Sequence, residues 1–264
     1  MSSPALEIDA VVKSFGGVRA VDGCSFAIPA GALTGLSGPT GAGKTSLFNI
    51  LAGALRPDSG HVRLDGHDVT GEPPHRLFAR GLVRTFQIPH ELHEMSVLEN
   101  LMVVPGGQVG ENLFAALLGG TKVATQERAI RERAEAVLGV LELTALSDEL
   151  AGNLSGGQKK LLELGRTMIS GAHVLLLDEP GAGVNPTLMG KLRDNIVRLN
   201  REAGCTFCII EHDMDLVSRL CDPVVVMAEG KVLTKGTMDE IRRNEEVIDA
   251  YLGGGGGSEA HEPA

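Results

Sequence analysis

The run Gly38-Pro39-Thr40-Gly41-Ala42-Gly43-Lys44-Thr45 constrains this chain more than any other stretch of its sequence. Three glycines within six positions cannot hold a regular element, because each gives up the most conformational freedom on ordering. The surrounding residues predict a short strand from Ala32, a glycine-rich turn, and a helix from Thr45 to about Ala52 that stops before Gly53. Such a turn lets backbone N–H groups converge on phosphate oxygens, and the helix behind it offers the positive end of its dipole. In this pattern Lys44 reaches the β and γ phosphates and Thr45 supplies a hydroxyl to Mg²⁺.

Around this unit the sequence predicts two kinds of sheet. Leu6-Glu7-Ile8-Asp9 and Val62-Arg63-Leu64-Asp65 alternate apolar and polar residues, as strands with one solvated face do, and suit an antiparallel subdomain. Val174–Leu177 and Phe207–Ile210 are unbroken apolar runs separated by a helical stretch from Pro186 to Glu202, as in a buried parallel sheet. From about Ile88 to Thr167 the chain reads helical, with Ile130, Ala134, Val137, Leu138 and Leu141 along one face, which suggests an inserted subdomain. Val224–Met227 and Lys231–Leu233 read as a hairpin through Glu229-Gly230. The glycine-rich tail after Leu252 has nothing to pack and is expected to be disordered.

Two further strand ends carry reactive groups. The run Val174–Leu177 exits into Asp178-Glu179, and Ile209-Ile210 exits into Glu211-His212. In open α/β sheets, ligands bind beyond the carboxyl ends of the strands, which places both exits and the glycine loop at one edge. Asp178 can hold Mg²⁺, Glu179 can polarise an attacking water, and His212 can contact a γ-phosphate. These parts suit hydrolysis of a nucleoside triphosphate, where catalysis is mostly positioning and charge stabilisation. A kinase, a GTPase and a motor would share them, although no Asn-Lys-x-Asp run for reading guanine is present. The segment Leu154-Ser155-Gly156-Gly157-Gln158 opens a helix. Ser155 and Gln158 fit a capping box, while two glycines at the start also leave N–H groups open to an anion.

Composition excludes other classes. The 264 residues carry 24 Lys+Arg against 34 Asp+Glu, a net charge of −10, which argues against a protein held to nucleic acid by sequence-independent phosphate contacts. No stretch approaches the ~18 apolar residues of a membrane-spanning helix, and the start of the chain lacks a basic region followed by an apolar run, so a cytosolic location is expected. Cys205 and Cys208 fall on opposite faces of one strand, so small buried hydrophobes are expected there rather than a zinc or redox pair.

The order of these motifs resembles the ATP-binding subunits of ABC transporters, over nearly all of residues 5 to 252. Arg84-Thr85-Phe86-Gln87 looks like that family's Q-loop, Glu211-His212-Asp213 like its switch histidine, and Phe15 stands where the family stacks an aromatic on adenine. The resemblance implies an α/β fold: a P-loop NTPase core (1–87 and 168–252) with an antiparallel β subdomain, a helical subdomain (88–167) carrying the signature motif, and a disordered tail (253–264). It implies ATP and Mg²⁺, held by Phe15, Gly38, Pro39, Thr40, Gly41, Ala42, Gly43, Lys44, Thr45 and Ser46, with Thr45, Gln87 and Asp178 at the metal. Glu179, His212 and Gln87 are the implied catalytic residues.

Two subunits are then expected to pair head to tail, so that Ser155, Gly156, Gly157 and Gln158 of one cap the ATP of the other. The second subunit is an identical or related ATPase, and Ala182-Gly183-Val184-Asn185 would cross the interface. Three stretches, RTFQIPHELHEMSVLENLMV, DEPGAGVNP and IEHDMDLVSRLCDPVVVMAEGKVLTKGT, look most like the branched-chain amino-acid importer ATPases. Thr40 stands where that group usually has Asn, Ser46 where it has Thr, and Asn185 where the wider family has Asp. The implied partners are integral membrane permeases, and indirectly a solute-binding protein, with the chain peripheral on the inner membrane face. Related ATPases for urea or amide import, or for lipopolysaccharide export, share much of the pattern. A soluble ABC ATPase acting on ribosomes or DNA, and a non-catalytic regulatory subunit, are the remaining alternatives.

Overall fold

Alternation in the first thirty residues produces a sheet with one buried face. The computed structural model describes residues 3–85, 91–109 and 120–253. Its strands and helices run β1 (Pro4–Phe15), β2 (Val18–Pro29), β3 (Leu33–Ser37), α1 (Lys44–Leu51), β4 (Ser59–Leu64), β5 (His67–Asp68), α2 (Pro74–Ala79), β6 (Leu82–Arg84), α3 (Val97–Met102) and α4 (Gly120–Val140). There follow α5 (Gly156–Ser170), β7 (Val174–Asp178), α6 (Pro186–Ala203), β8 (Thr206–Ile210), α7 (Met214–Leu220), β9 (Val224–Ala228), β10 (Lys231–Gly236), α8 (Met238–Arg243) and α9 (Glu245–Gly253). By their contacts these divide into two units: the chain up to Pro74 with that from Thr206 onward, and His75–Cys205.

In the first unit, β2, β1, β4 and β5 form an antiparallel sheet in that order. Its buried face is built from cross-strand rows: Ile28, Leu6 and Leu64 lie opposite one another, as do Phe26, Ile8 and Val62. All six are buried, and each large aliphatic removed from water contributes roughly 1.5–3 kcal/mol. The same unit holds a mixed set of strands. β3 lies between β8 and β9 and is parallel to both, and β10 returns antiparallel to β9 as the hairpin pattern predicts. Because β3 and β8 run in register, Leu36 beside Ile210, the chain leaves both strands at one edge. Gly35 lets α7 approach β3 closely, since a Cβ there would lie 3.1 Å from both Cys221 Cβ and Val217 Cγ1. The last helix, α9, continues through Gly253, one residue beyond the expected end of the folded chain; residues 254–264 lie outside the described residues.

The second unit pairs β6 with β7 in parallel, Val83 beside Leu175, and surrounds them with helices. Ile130, Ala134, Leu138 and Leu141 are buried as the spacing predicts, while Val137 is half-buried. Gly165 of α5 admits α3 and α4 to close range: a Cβ there would meet Leu141 Cδ1 at 2.6 Å and Leu101 Cδ2 at 3.2 Å. Asn100, fully buried, fastens the entry to α3 by donating to the carbonyls of Leu92, Met95 and Ser96.

Candidate nucleotide site

The glycine loop is shaped by what its glycines touch. Gly38 (φ 142°) and Gly43 (φ 93°) adopt backbone conformations that side chains disfavour. A Cβ at Gly38 would lie 2.0 Å from the Met227 carbonyl oxygen, and one at Gly43 2.0 Å from that of Ala20. The loop is thus wedged between β2 and the β9–β10 hairpin, which adds a Gly230 N–H to Ala42 O bond of 3.2 Å. Lys44, only 6% exposed, donates from Nζ to the carbonyls of Gly38 (2.7 Å) and Pro39 (2.9 Å), holding its ammonium inside the loop. No side chain caps α1, so its first-turn N–H groups face the loop. Thr45 is exposed in that turn and Ser46 half-buried.

Elsewhere in the first unit, Glu211 is 5% exposed at the end of β8, and its Oε2 accepts the His212 backbone N–H at 3.2 Å. His212 itself is exposed, and Asp213 caps α7 by accepting the N–H groups of Asp215 and Leu216. Phe15 is 51% exposed at the β1–β2 turn with the Lys13 ammonium 5.8 Å from its ring centre. It is therefore an open aromatic face and not a core residue.

The second unit carries the strand-end carboxylates. Asp178 closes β7, and Arg84, from β6 beside it, donates Nη2 to its Oδ2 at 2.7 Å; the two side chains are 6% and 7% exposed. Glu179 follows at φ 47°, a left-handed conformation for a residue with a Cβ, and its carbonyl accepts from the buried Lys160 Nζ at 3.3 Å. Backbone held in a disfavoured region is a recurrent feature of sites whose side chain must point in one direction. Ser155 caps α5 through the capping box: its Oγ accepts the Gln158 N–H, and the Gln158 Oε1 accepts the Ser155 N–H at 2.9 Å. Gly157 faces Leu188 of α6, where a Cβ would lie 2.5 Å from Cδ1, whereas at Gly156 a Cβ would meet nothing within 4 Å. Ser155 and Gly156 are both exposed, and the Ser155 hydroxyl also donates to Gln158 Oε1 at 2.9 Å.

Reasoning from sequence alone missed three of these residues. Arg84 and Lys160 are buried cations whose carboxylate and carbonyl partners lie far along the chain, and no local pattern announces them. Asn185 is expected from sequence in the segment that crosses the interface, and as a departure from the family's Asp, with no capping role assigned to it. It caps α6, its Oδ1 accepting Leu188 N–H at 3.0 Å with Pro186 next in line, and the Asn-Pro pair ahead of a helical run was the available signal. Phe86 and Gln87 lie outside the described residues. Burial pushes Cys24 up to about 11 and Cys221 up to about 12, and raises Cys205 and Cys208 as well. These thiols are protonated at neutral pH, the state unsuited to metal or redox work. Among the described residues, no group of three or more His, Cys, Asp or Glu could hold a metal ion, and no helix is long and apolar enough to cross a membrane.

A wedged glycine loop opening a helix, with carboxylates at strand ends and a capped glycine pair, defines a nucleotide-binding cassette. Residues 21–182 match the family model described as ABC transporter, and residues 231–256 match that of the branched-chain amino acid ATP-binding cassette transporter. The probable branched-chain amino acid transport ATP-binding protein LivG of Archaeoglobus fulgidus is 41% identical, covering 94% of this chain and 95% of its own. The high-affinity branched-chain amino acid transport ATP-binding protein BraF of Pseudomonas aeruginosa is 39% identical, covering 96% and 99%. A crystal structure of the ADP conformation of an ATP-binding cassette superposes with TM-score 0.81 at 35% identity, covering 96% of this chain and all of that one. The chain belongs to the ABC transporter family, as an ATP-binding subunit. Within the family it is closely related to the Liv- and Bra-type ATPases of branched-chain amino-acid transport.

Proposed function

We propose that this subunit hydrolyses ATP to drive separate membrane permease subunits, importing branched-chain amino acids or a similar small solute. The shape of the glycine loop carries the reading. Loop amides and Lys44 bind the β and γ phosphates, and Ser46 extends the cradle beyond Thr45. Phe15 offers its exposed face to adenine. Thr45, Asp178 and Gln87 are the proposed metal ligands. A hydroxyl, a carboxylate and an amide form a set of hard oxygen donors, too few to enclose an ion, which suits Mg²⁺, since it takes its remaining ligands from phosphate and water. When bound, Mg²⁺ neutralises charge on the phosphates.

Glu179 accepts a proton from the attacking water, held in direction by its left-handed backbone, and His212 steadies the γ-phosphate. Residues 1–87 and 168–252 act as the nucleotide core and 88–167 as the helical subdomain. Ser155, Gly156, Gly157 and Gln158 close over the ATP of a second ATPase subunit, identical or related. The subunit is then peripheral at the cytoplasmic membrane face, and a solute-binding protein delivers the cargo. The transport names of the curated relatives support this assignment of cargo.

The test is purification of Glu179→Gln from gently solubilised membranes with ATP present. The amide keeps the shape of the side chain and cannot take the proton, so a closed dimer with unhydrolysed ATP and permease subunits is expected. Turnover equal to the parent overturns the role of Glu179. Recovery of ribosomes or DNA-repair proteins in place of permeases overturns transport.

A further inference from the structure

The C-terminal helix reaches the base of the glycine loop. The Tyr251 hydroxyl of α9 lies 2.8 Å from Ser37 Oγ, and Ser37, 1% exposed, is the last residue of β3, directly before Gly38. The same Ser37 Oγ donates to Met214 Sδ at 3.7 Å. Serine has one proton. With that proton on the thioether the oxygen accepts from tyrosine, so both contacts are made together only in the order Tyr251 to Ser37 to Met214. Met214 opens α7, two residues after His212. One side chain from late in the sequence therefore touches the loop base and, through Ser37, is linked to the first residue of the helix that follows the histidine.

We propose that Tyr251 is a positioning residue for ATP hydrolysis, acting through Ser37 on Met214 and thereby on His212; this rests on the roles proposed above for the loop and His212. The two ends of the chain respond differently to its loss. The loop is wedged independently against the carbonyls of Met227 and Ala20, so it keeps its shape and its hold on ATP. His212 lies on the short connection between β8 and α7, two residues before Met214, so a shift at the start of α7 carries to its place. Removing the hydroxyl should therefore slow turnover and leave nucleotide binding intact.

The experiment is steady-state ATP hydrolysis by the subunit purified together with its partner ATPase and permease subunits, comparing the parent with Tyr251→Phe, Met214→Leu and the pair of substitutions. Tyr251→Phe removes only the hydroxyl, and Met214→Leu removes the thioether acceptor while keeping an apolar side chain of similar volume. Loss of one hydrogen bond predicts that Tyr251→Phe lowers kcat about three- to tenfold with KM for ATP within about twofold. The double variant should be no slower than the slower single variant, because both substitutions break one chain of bonds. Tyr251→Phe with parental kcat overturns the proposal alone, as does a fully multiplicative double variant. A loss of thermal stability without loss of turnover per folded molecule reduces Tyr251 to a structural anchor and also overturns it. A parent chain that neither binds nor hydrolyses ATP overturns the underlying ATPase reading, and the proposal with it.

Discussion

Replacing Arg84 with Met should be among the most damaging substitutions in the second unit. Its Nη2 donates to Asp178 Oδ2 at 2.7 Å, and the two side chains are 7% and 6% exposed. A surface pair at this distance would contribute only about 0–1 kcal/mol, because water screens it and two long side chains must be ordered. Burial changes the balance. Taking away one member leaves the other charged, desolvated and uncompensated, at a cost of about 3–5 kcal/mol. Against a total stability of about 5–15 kcal/mol this is a large fraction. At about 2–4 °C per kcal/mol for a chain of this size, the melting temperature should fall by about 6–20 °C.

Asp178→Asn should also destabilise, since it takes from the buried Arg84 guanidinium the charge of its 2.7 Å partner. The double variant Arg84→Met with Asp178→Asn removes both charges, so it should be more stable than the two losses added together by about 1–3 kcal/mol. Urea and thermal unfolding of all four proteins without nucleotide measure this coupling. A single Arg84→Met variant melting within about 2 °C of the parent would refute the reasoning, because the melting shift expected from a stranded buried carboxylate is several times larger.

Two other predictions concern helix starts and acid. Asn185→Ala should cost about 1 kcal/mol through loss of the α6 cap, while Asn185→Asp, which caps equally well, should melt like the parent; equal losses in both would refute a capping role. Burial is the largest single influence on Glu91 and pulls its carboxyl upward, but the Lys159 ammonium at 2.6 Å, a backbone hydrogen bond and His93 together hold it below the ordinary 4.5. Its contribution to stability is therefore complete above pH 4.5 and lost as the pH falls through the lowered value. The melting-temperature gap between the parent and Glu91→Gln should accordingly narrow from about pH 7 to about pH 3; a constant gap across that range would count against the ion pair.

The glycine loop was legible because its chemistry is local. Eight consecutive residues determine that a strand must turn through left-handed backbone into an uncapped helix, and the structure follows, with α1 at Lys44–Leu51. The apolar runs of β7 and β8 were legible for a similar reason, since burial on both faces leaves no alternation to confuse. At Ser155 the capping box was legible, because Ser and Gln three positions apart at a helix start satisfy each other's backbone locally. Partners brought together only by folding were illegible. Arg84 meets Asp178 because β6 and β7 pair, with 94 positions between them. Lys160 meets the Glu179 carbonyl only after α5 has packed. Phe15 could have been core or surface by composition, and its place at a hairpin end made it surface.

The wedging of the loop also bears on when the site can exist. Gly43 rests on Ala20, made early, and on the turn at Gly230, while Gly38 rests on Met227. β3 itself lies between β8 and β9, both from the last third of the chain. A ribosome adding about 5–20 residues per second finishes the loop's own eight residues roughly 10–40 s before it delivers their supports, some 190 residues later. Throughout that interval the nascent chain carries the whole phosphate-binding sequence and Ala20, without the Met227 and Gly230 walls that complete its shape. Nucleotide can therefore reward only a polypeptide that has reached the β9–β10 hairpin, and a chain truncated before it should be an intact motif with no site.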